Sequence, residues 1–370
     1  MYRVFILLLF ITSLFSCVSQ TENSKMLMYI GTTNNDSLKG IEYCYFDINT
    51  GEVTAAKVAN RIINPNFLAV DKENKMLFAV GAKMNNEGKQ SAVVRSFSVN
   101  ETSGELTQVS EEVVPGRGPC YVAQDKTKDH VMVAYYGSGE FSAFNNDAGK
   151  LSHKNIVKHD GNGPTKRQKG PHGHSIDVDP NSDFIYAADL GIDQLKVYEM
   201  KEEGLVLADS VVCHPGAGPR HFDFSPDGKI LAVLNELDCS VSTFQKDKKG
   251  IFNKAMQTLT LLPDTFTGNA KAADIHFSAD GKFLYASNRG FNCIAVFKVL
   301  DNKLEFVEFE TEGVNWPRNF AIDPSGKFLL VANRDSNNIT IYNRNTETGE
   351  LTILPQKVEV ERPICIKFYN

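Results

Sequence analysis

Residues 218–236, GPRHFDFSPDGKILAVLNE, hold Arg220 and His221 near one end and Asn235 and Glu236 at the other. A guanidinium, an imidazole, an amide and a carboxylate brought together could bind an anion, stabilise an oxyanion and move a proton. Similar segments carry further groups of this kind at matching places. One has His172, His174 and Asp189; another has Asp274, Asn288 and Arg289; a third has Arg318, Asn319, Asn333 and Arg334. Several arginines suit a carboxylate or phosphate, which a planar fork grips with two hydrogen bonds. Glu236 and His174 are expected to serve as general base and acid on a water or a C–H. Either alone would be a weak signal; their return at matched positions is what counts. A channel merely lined with solvating charge is the plainer reading, but four arginines beside few acids solvate a pore oddly. No Ser/His/Asp order, Gly-rich phosphate loop or EF-hand pattern competes with this set.

Strands must position these groups. His221-Phe222-Asp223-Phe224 alternates polar and apolar, Ser225-Pro226-Asp227-Gly228 signals a tight turn, and residues 230–234 form an apolar run. An antiparallel pair of this kind sets Arg220 and His221 beside Asn235 and Glu236 at one sheet edge. Aligned on the turn, Arg220 matches Asn66, Cys120, His174, Ala273, Arg318 and Ile364, at spacings of 45 to 54 residues. Seven copies of short strands at such a period predict an all-β, seven-bladed β-propeller. The last copy, residues 362–368, supplies one strand before the chain ends, and residues 26–30 and 41–46 are expected to complete its blade. A last blade closed by N- and C-terminal strands removes the open edge.

In such a ring the first strands line the channel, and their starts gather at one mouth with the ends of the second strands. Positions there are bland in copies one, two and seven, where Asn66, Gly81, Ala82, Cys120, Tyr135, Tyr136 and Ile364 fall, and polar in copies three to six. One sector of a shared scaffold is therefore expected to carry the site. The connection at 160–173, DGNGPTKRQKGPHG, is expected to cap a mouth, while its basic run Lys166-Arg167-Gln168-Lys169 reads as a solvated loop.

Composition is that of an ordinary soluble globule, 42% hydrophobic and 23% charged. A net charge of −6 without a basic stripe argues against a nucleic-acid partner. At the start, Arg3 precedes an apolar run over residues 4–15, and Leu14-Phe15-Ser16-Cys17 resembles the lipobox of bacterial lipoproteins. The expected organisation is a lipoprotein signal peptide over 1–16, a tether over 17–25 lipidated at Cys17, and one propeller domain over 26–370. The apolar run is too short for a good transmembrane helix. Export with a lipid anchor is expected instead, to the outer membrane since Val18 follows the Cys, facing the periplasm or the cell surface. The six later cysteines include no CxxC pair and read as small apolar packing residues rather than disulfides or metal ligands.

The runs PHGHSIDVDP with YAADLG, GPRHFDFSPDGK with VLNEL, AADIHFSADGKFLYASNR, PRNFAIDPSGKFLLVAN and the closing PICIKF resemble the seven-bladed lactonase family. That family includes bacterial propeller-type 6-phosphogluconolactonases and fungal carboxymuconate-lactonising enzymes. The resemblance covers nearly all of residues 27–370. It implies a metal-independent lactonase without a cofactor and, by motif, a catalytic set of His174, Glu236, Arg220 and Arg289. From the same polar sector, His172, His221, Asp189, Asn235, Asn288, Arg318, Asn333 and Arg334 are expected to bind substrate.

Phosphogluconolactone is a cytoplasmic intermediate, so an exported enzyme is expected to act, as a monomer, on an extracytoplasmic sugar-acid or similar anionic lactone. Two alternatives stay open. One is a non-catalytic surface propeller that binds a glycan or protein through Tyr135, Tyr136 and Trp316. The other is a carboxymuconate-type lyase that uses the same charged residues. Glu236 and Arg220 are expected at a channel mouth rather than in the core, where substitution leaves stability near wild type.

Overall fold

Seven four-stranded antiparallel sheets make up the protein in a computed structural model, which describes residues 24–34, 39–84 and 88–370. Signal peptide, Cys17 and the tether as far as residue 23 lie outside the described residues. Blades one to six follow the chain, with inner strands Ile63–Asp71, Pro119–Gln124, Gly173–Val178, Pro219–Phe224, Lys271–Phe277 and Pro317–Ile322. The seventh takes its inner strand Pro363–Phe368 from the C-terminus and Lys25–Thr32, Gly40–Asp47 and Lys57–Arg61 from the N-terminus. Each inner strand packs against the next, the seventh against the first, so the ring is closed. No helix occurs among the described residues. The repeat period and the split blade are thus as the sequence predicts.

The fourth blade shows why the repeated segment folds as it does. Its inner strand meets the second strand, Leu231–Asn235, through a turn that the Ser225 hydroxyl organises. That hydroxyl donates to Asp227 Oδ1 at 2.7 Å and accepts from the Ile230 amide at 2.9 Å. Gly228 sits at φ +68°, a left-handed turn position natural to glycine. Ser278 and Asp280 repeat the arrangement in the fifth blade.

Apolar faces of neighbouring blades bury one another. Tyr186 of the third blade meets Phe224 and Phe252 of the fourth edge-on, and all three are buried. At the closure, Met28 pairs with Phe368 and Ile30 with Ile366, while the Phe46 ring touches Phe328 and Phe368 at 5.5 Å. Chain ends far apart in sequence therefore share one continuous core with the sixth blade.

Register carries one more regularity. In all seven blades the pairing of inner and second strand slips at one place. The slips fall around Asn66, Cys120, His174, Arg220, Ala273, Arg318 and Ile364. These are the residues that align in the repeat. A bulge adds a residue to one strand and re-aims its side chain, and four of these seven positions, Asn66, Cys120, His174 and Arg318, line one cavity.

Candidate active site

At one mouth of the channel lies a cavity of about 420 Å³, lined from the bulges by Asn66, Cys120, His174 and Arg318. Residues after the second strands add Tyr136, Glu236 and Arg334, and Arg289 ends its own second strand. Lys271 and Trp316, each two residues ahead of a bulge position, complete the wall with Arg167 from the 160–173 connection. Five cationic side chains thus face one carboxylate.

Glu236 is the centre of that charge. Its Oε2 receives Arg289 Nη2 at 2.9 Å and lies 3.1 Å from Arg220 Nε, while Oε1 accepts from Arg167 Nη1 at 3.1 Å. Burial opposes the ionised form, but Arg289, Arg220 and Arg167 outweigh it and hold the carboxyl at about 2. Glu236 lies at the mouth as expected, but the expectation that it and Arg220 are not part of the buried interior is corrected here. Only 5% of the Glu236 side chain and 2% of the Arg220 side chain are exposed, because the bulge turns Arg220 inward beneath the cavity.

The guanidiniums bear the cost of this arrangement. Burial, with Arg289 and Arg318 as neighbours, lowers Arg220 to about 9, although it also donates to the Ala273 carbonyl. Burial and Arg289 lower Arg318 to about 10. Arg318 makes no hydrogen bond or ion pair to any described residue; Glu236 favours its charge only through space, and its donors are left to the cavity. His174 is buried, and burial first, then Arg220, His221 and Arg318, pushes its imidazole well below the ordinary histidine value. It is therefore neutral, with Nδ1 unpartnered among the described residues. Cys120 beside it is no nucleophile: burial raises its thiol to about 12.

The sequence-derived set divides cleanly. His174, Glu236, Arg289, Arg318 and Arg334 line the cavity, and Arg220 supports it from below. Arg334 is gripped by Asp335 at 2.6 and 3.0 Å and lies over the Trp316 ring at 4.9 Å. His172 stacks on Tyr136 at 4.6 Å and bonds its carbonyl, shaping the wall without lining the cavity.

Asp189, Asn235, Asn288 and Asn333, expected to bind substrate, sit behind the wall. Asp189 holds His159 at 2.8 Å and the His172 amide at 2.7 Å. Asn235 donates to Ser240 and Ser242, and Asn333 to the Gly313 carbonyl. Asn288 is fully buried. The physical reason is strand parity: successive side chains point to opposite faces. These four and Tyr135 occupy one phase, whereas Tyr136, Glu236, Arg289 and Arg334 occupy the next. His221 also misses the cavity. It packs against His174 and Tyr121, both at 5.3 Å, with Nδ1 2.6 Å from Asp274 Oδ1.

Of the cavity residues, Lys271 went unremarked in the sequence, Asn66, Cys120 and Tyr136 counted as bland, and Arg167 was assigned to solvent; Tyr136 and Arg167 matter most. Tyr136 shares the repeat position of Glu236. Arg167 counted as part of a solvated loop. The loop is instead pinned down, because Gln168, fully buried, donates to the Leu190 carbonyl and Asp193 Oδ1 at 2.9 and 2.6 Å. Gly191 lets it pass, since a Cβ there would collide with the Gly170 carbonyl. Arg167 is thereby delivered to Glu236 and to the Tyr136 hydroxyl, the latter at 2.5 Å.

Comparison with known proteins gives a consistent answer. The family model described as "Lactonase, 7-bladed beta-propeller" matches residues 27–368. A 6-phosphogluconolactonase of Bacillus subtilis is 35% identical over 94% of this chain and 99% of its own length. One from Formosa agariphila is 33% identical over 93% and 99%. The periplasmic gluconolactonase of Pseudomonas aeruginosa superposes with a TM-score of 0.87 at 31% identity, covering 93% of this chain and 99% of that one.

Proposed function

The chain belongs to the seven-bladed β-propeller lactonase family, and on that footing we propose that it hydrolyses an anionic sugar-acid lactone in the arginine-lined cavity. The observation that carries the proposal is Arg318: a guanidinium without a contacting counter-ion, in the same cavity as a neutral, unpartnered imidazole. A charge left unpaired at such cost implies that the substrate supplies its partner.

In the proposed chemistry the neutral His174 imidazole, which lines the cavity, takes a proton from water as the water oxygen bonds to the lactone carbonyl carbon. Negative charge then gathers on the carbonyl oxygen, where Arg318 stabilises it. Collapse breaks the ring C–O bond, and the proton returns from His174 to the departing alkoxide, leaving the open hydroxy acid. Glu236, with both oxygens engaged and a carboxyl near 2, is too weak a base for this step in the resting site. Its part is to keep Arg220 and Arg289 aligned. A cavity walled by guanidiniums repels cations, which favours hydrolysis without a metal.

A panel of neutral, carboxylated and phosphorylated lactones, assayed with and without chelator, tests the proposal. Hydrolysis unchanged by chelator is expected. Turnover of no lactone would favour a surface binder, and turnover of an open unsaturated acid alone would favour a lyase. The proposal extends to place: export, with a lipid anchor on Cys17. The periplasmic location named for the Pseudomonas protein accords with it. Cys17→Ala should abolish membrane fractionation, and a wild-type protein found wholly soluble would overturn the anchor.

A further inference from the structure

Three arginines hold Glu236, but they are not alike. Arg220 and Arg289 come from blade strands and have 2% and 5% of their side chains exposed. Arg167 comes from the connection across the mouth, and 38% of its side chain is exposed. Both arginines of the blades meet Oε2; Arg167 meets Oε1. Removing Arg167 from Glu236 therefore leaves the carboxylate with two partners. Displacing either of the others would unpair a buried guanidinium.

From this asymmetry we propose that Arg167 reads the non-reacting anionic group of the substrate, exchanging Glu236 Oε1 and the Tyr136 hydroxyl for a substrate carboxylate or phosphate. The inference rests on the lactonase reading and assigns its specificity. In the empty site the guanidinium already grips a carboxylate oxygen at 3.1 Å and a hydroxyl at 2.5 Å. These are the partners that a sugar acid would offer.

The other cations are less suited to the task. Arg334 is committed to Asp335 and to the Trp316 face, and Arg318 neighbours the imidazole at the reacting end. Backbone and side chain are also decoupled at Arg167. The buried amide of Gln168, one residue on, fixes the loop while the guanidinium stays accessible to solvent. Its charge is secure in the resting site, where burial disfavours it but the Tyr136 hydroxyl and Glu236 raise its pKa further, and a substrate anion would take over that support.

The exchange has a second effect. Arg167 is the only described donor to Oε1, so its departure bares one oxygen of Glu236 to the bound substrate and weakens the hold on the proton-free form. Anion binding and the proton affinity of Glu236 are thereby coupled.

The test compares gluconolactone with its 6-phosphate and with glucarolactone, a neutral ring and its phosphate- and carboxylate-bearing counterparts. Wild type, Arg167→Gln and Arg167→Lys are assayed for kcat/KM on each, and calorimetry measures the binding of 6-phosphogluconate. The preference for the charged lactones over the neutral one should fall roughly 10- to 100-fold in Arg167→Gln, mainly through KM, and by less in Arg167→Lys. Affinity for 6-phosphogluconate should fall in parallel. If both classes of lactone lose activity equally and the preference stands, Arg167 only supports the fold and the assignment is overturned. If wild type hydrolyses none of the three, the lactonase reading fails on its own, and calorimetry still decides Arg167: unchanged anion affinity in Arg167→Gln would overturn it.

Discussion

Arg289 Nη2 lies 2.9 Å from Glu236 Oε2, and the two residues hold the same repeat position in adjacent blades, 53 residues apart. A carboxylate in one copy is thus answered by an arginine in the next. The pair ties the fourth blade to the fifth while filling the wall of the cavity. Substitution at Glu236 should consequently be a stability change as much as an activity change.

Glu236→Gln keeps the shape but leaves Arg220 and Arg289 without a counter-ion in a buried place. Loss of one member of a buried ion cluster costs about 3–5 kcal/mol, and the retained amide oxygen offsets part of it, so about 2–3 kcal/mol is expected. The pH dependence follows from the direction of the shift. Because the fold lowers the Glu236 carboxyl from 4.5 to about 2, the carboxylate's contribution is complete above 4.5 and is lost as pH falls toward 2. Urea unfolding of wild type and variant should differ by a constant amount at neutral pH, and the gap should close across that acid window. A variant as stable as wild type at pH 7 would contradict the clamp.

What the sequence could not reveal has definite causes. Blade count and closure are legible because the turn chemistry around Ser225 recurs, and the bulge positions repeat with it. Side-chain phase is where the reading loses resolution. Asn235 and Glu236 are neighbours of similar polarity, yet one bonds Ser240 inside the blade and the other faces the cavity. Only a fixed register tells them apart. Arg167 is harder still, since its loop has no counterpart in the other blades. Its delivery depends on the burial of Gln168, a residue that composition alone places at the surface.

His174 yields a prediction about pH and rate. Activity requires the neutral imidazole, and burial together with Arg220, His221 and Arg318 keeps its pKa well below 6.5. The acid limb of kcat/KM should accordingly lie beneath the ordinary histidine range, with no inflection near 6.5. His174→Gln should lower kcat by about two to four orders of magnitude. An acid limb at 6.5 or higher, or near-normal turnover by the variant, would remove His174 from its role.

Closure of the ring can be tested by truncation. Deleting residues 363–370 removes the inner strand of the seventh blade and exposes Met28, Ile30 and Phe46, all fully buried in the intact core. It also opens the edge of Lys25–Thr32, the strand that it pairs with, to other chains. The shortened protein should aggregate on expression; a soluble product melting within a few degrees of wild type would show that the strand does not hold the ring.

The last prediction separates stability from function at a single arginine. Arg318 has no hydrogen-bonding or ion-pair partner among the described residues, and burial and Arg289 lower its guanidinium to about 10. A base whose pKa is depressed by folding costs stability at every pH below that value. Arg318→Met retains the aliphatic stem, removes the charge, and leaves no carboxylate orphaned. Arg318 is only partly buried, so the fold should gain about 1 kcal/mol, less than the replacement of a fully buried uncompensated charge would give. Arg220 is the contrast: its replacement unpairs Glu236 and should destabilise. If Arg318 stabilises the oxyanion, Arg318→Met should also lower kcat by about two to three orders of magnitude with a smaller change in KM. Chemical unfolding and steady-state kinetics on the same preparation decide the matter. A variant both more stable and nearly inactive is the expected signature of a charge kept for the substrate, whereas a destabilised variant with full activity would mean that Arg318 serves the scaffold.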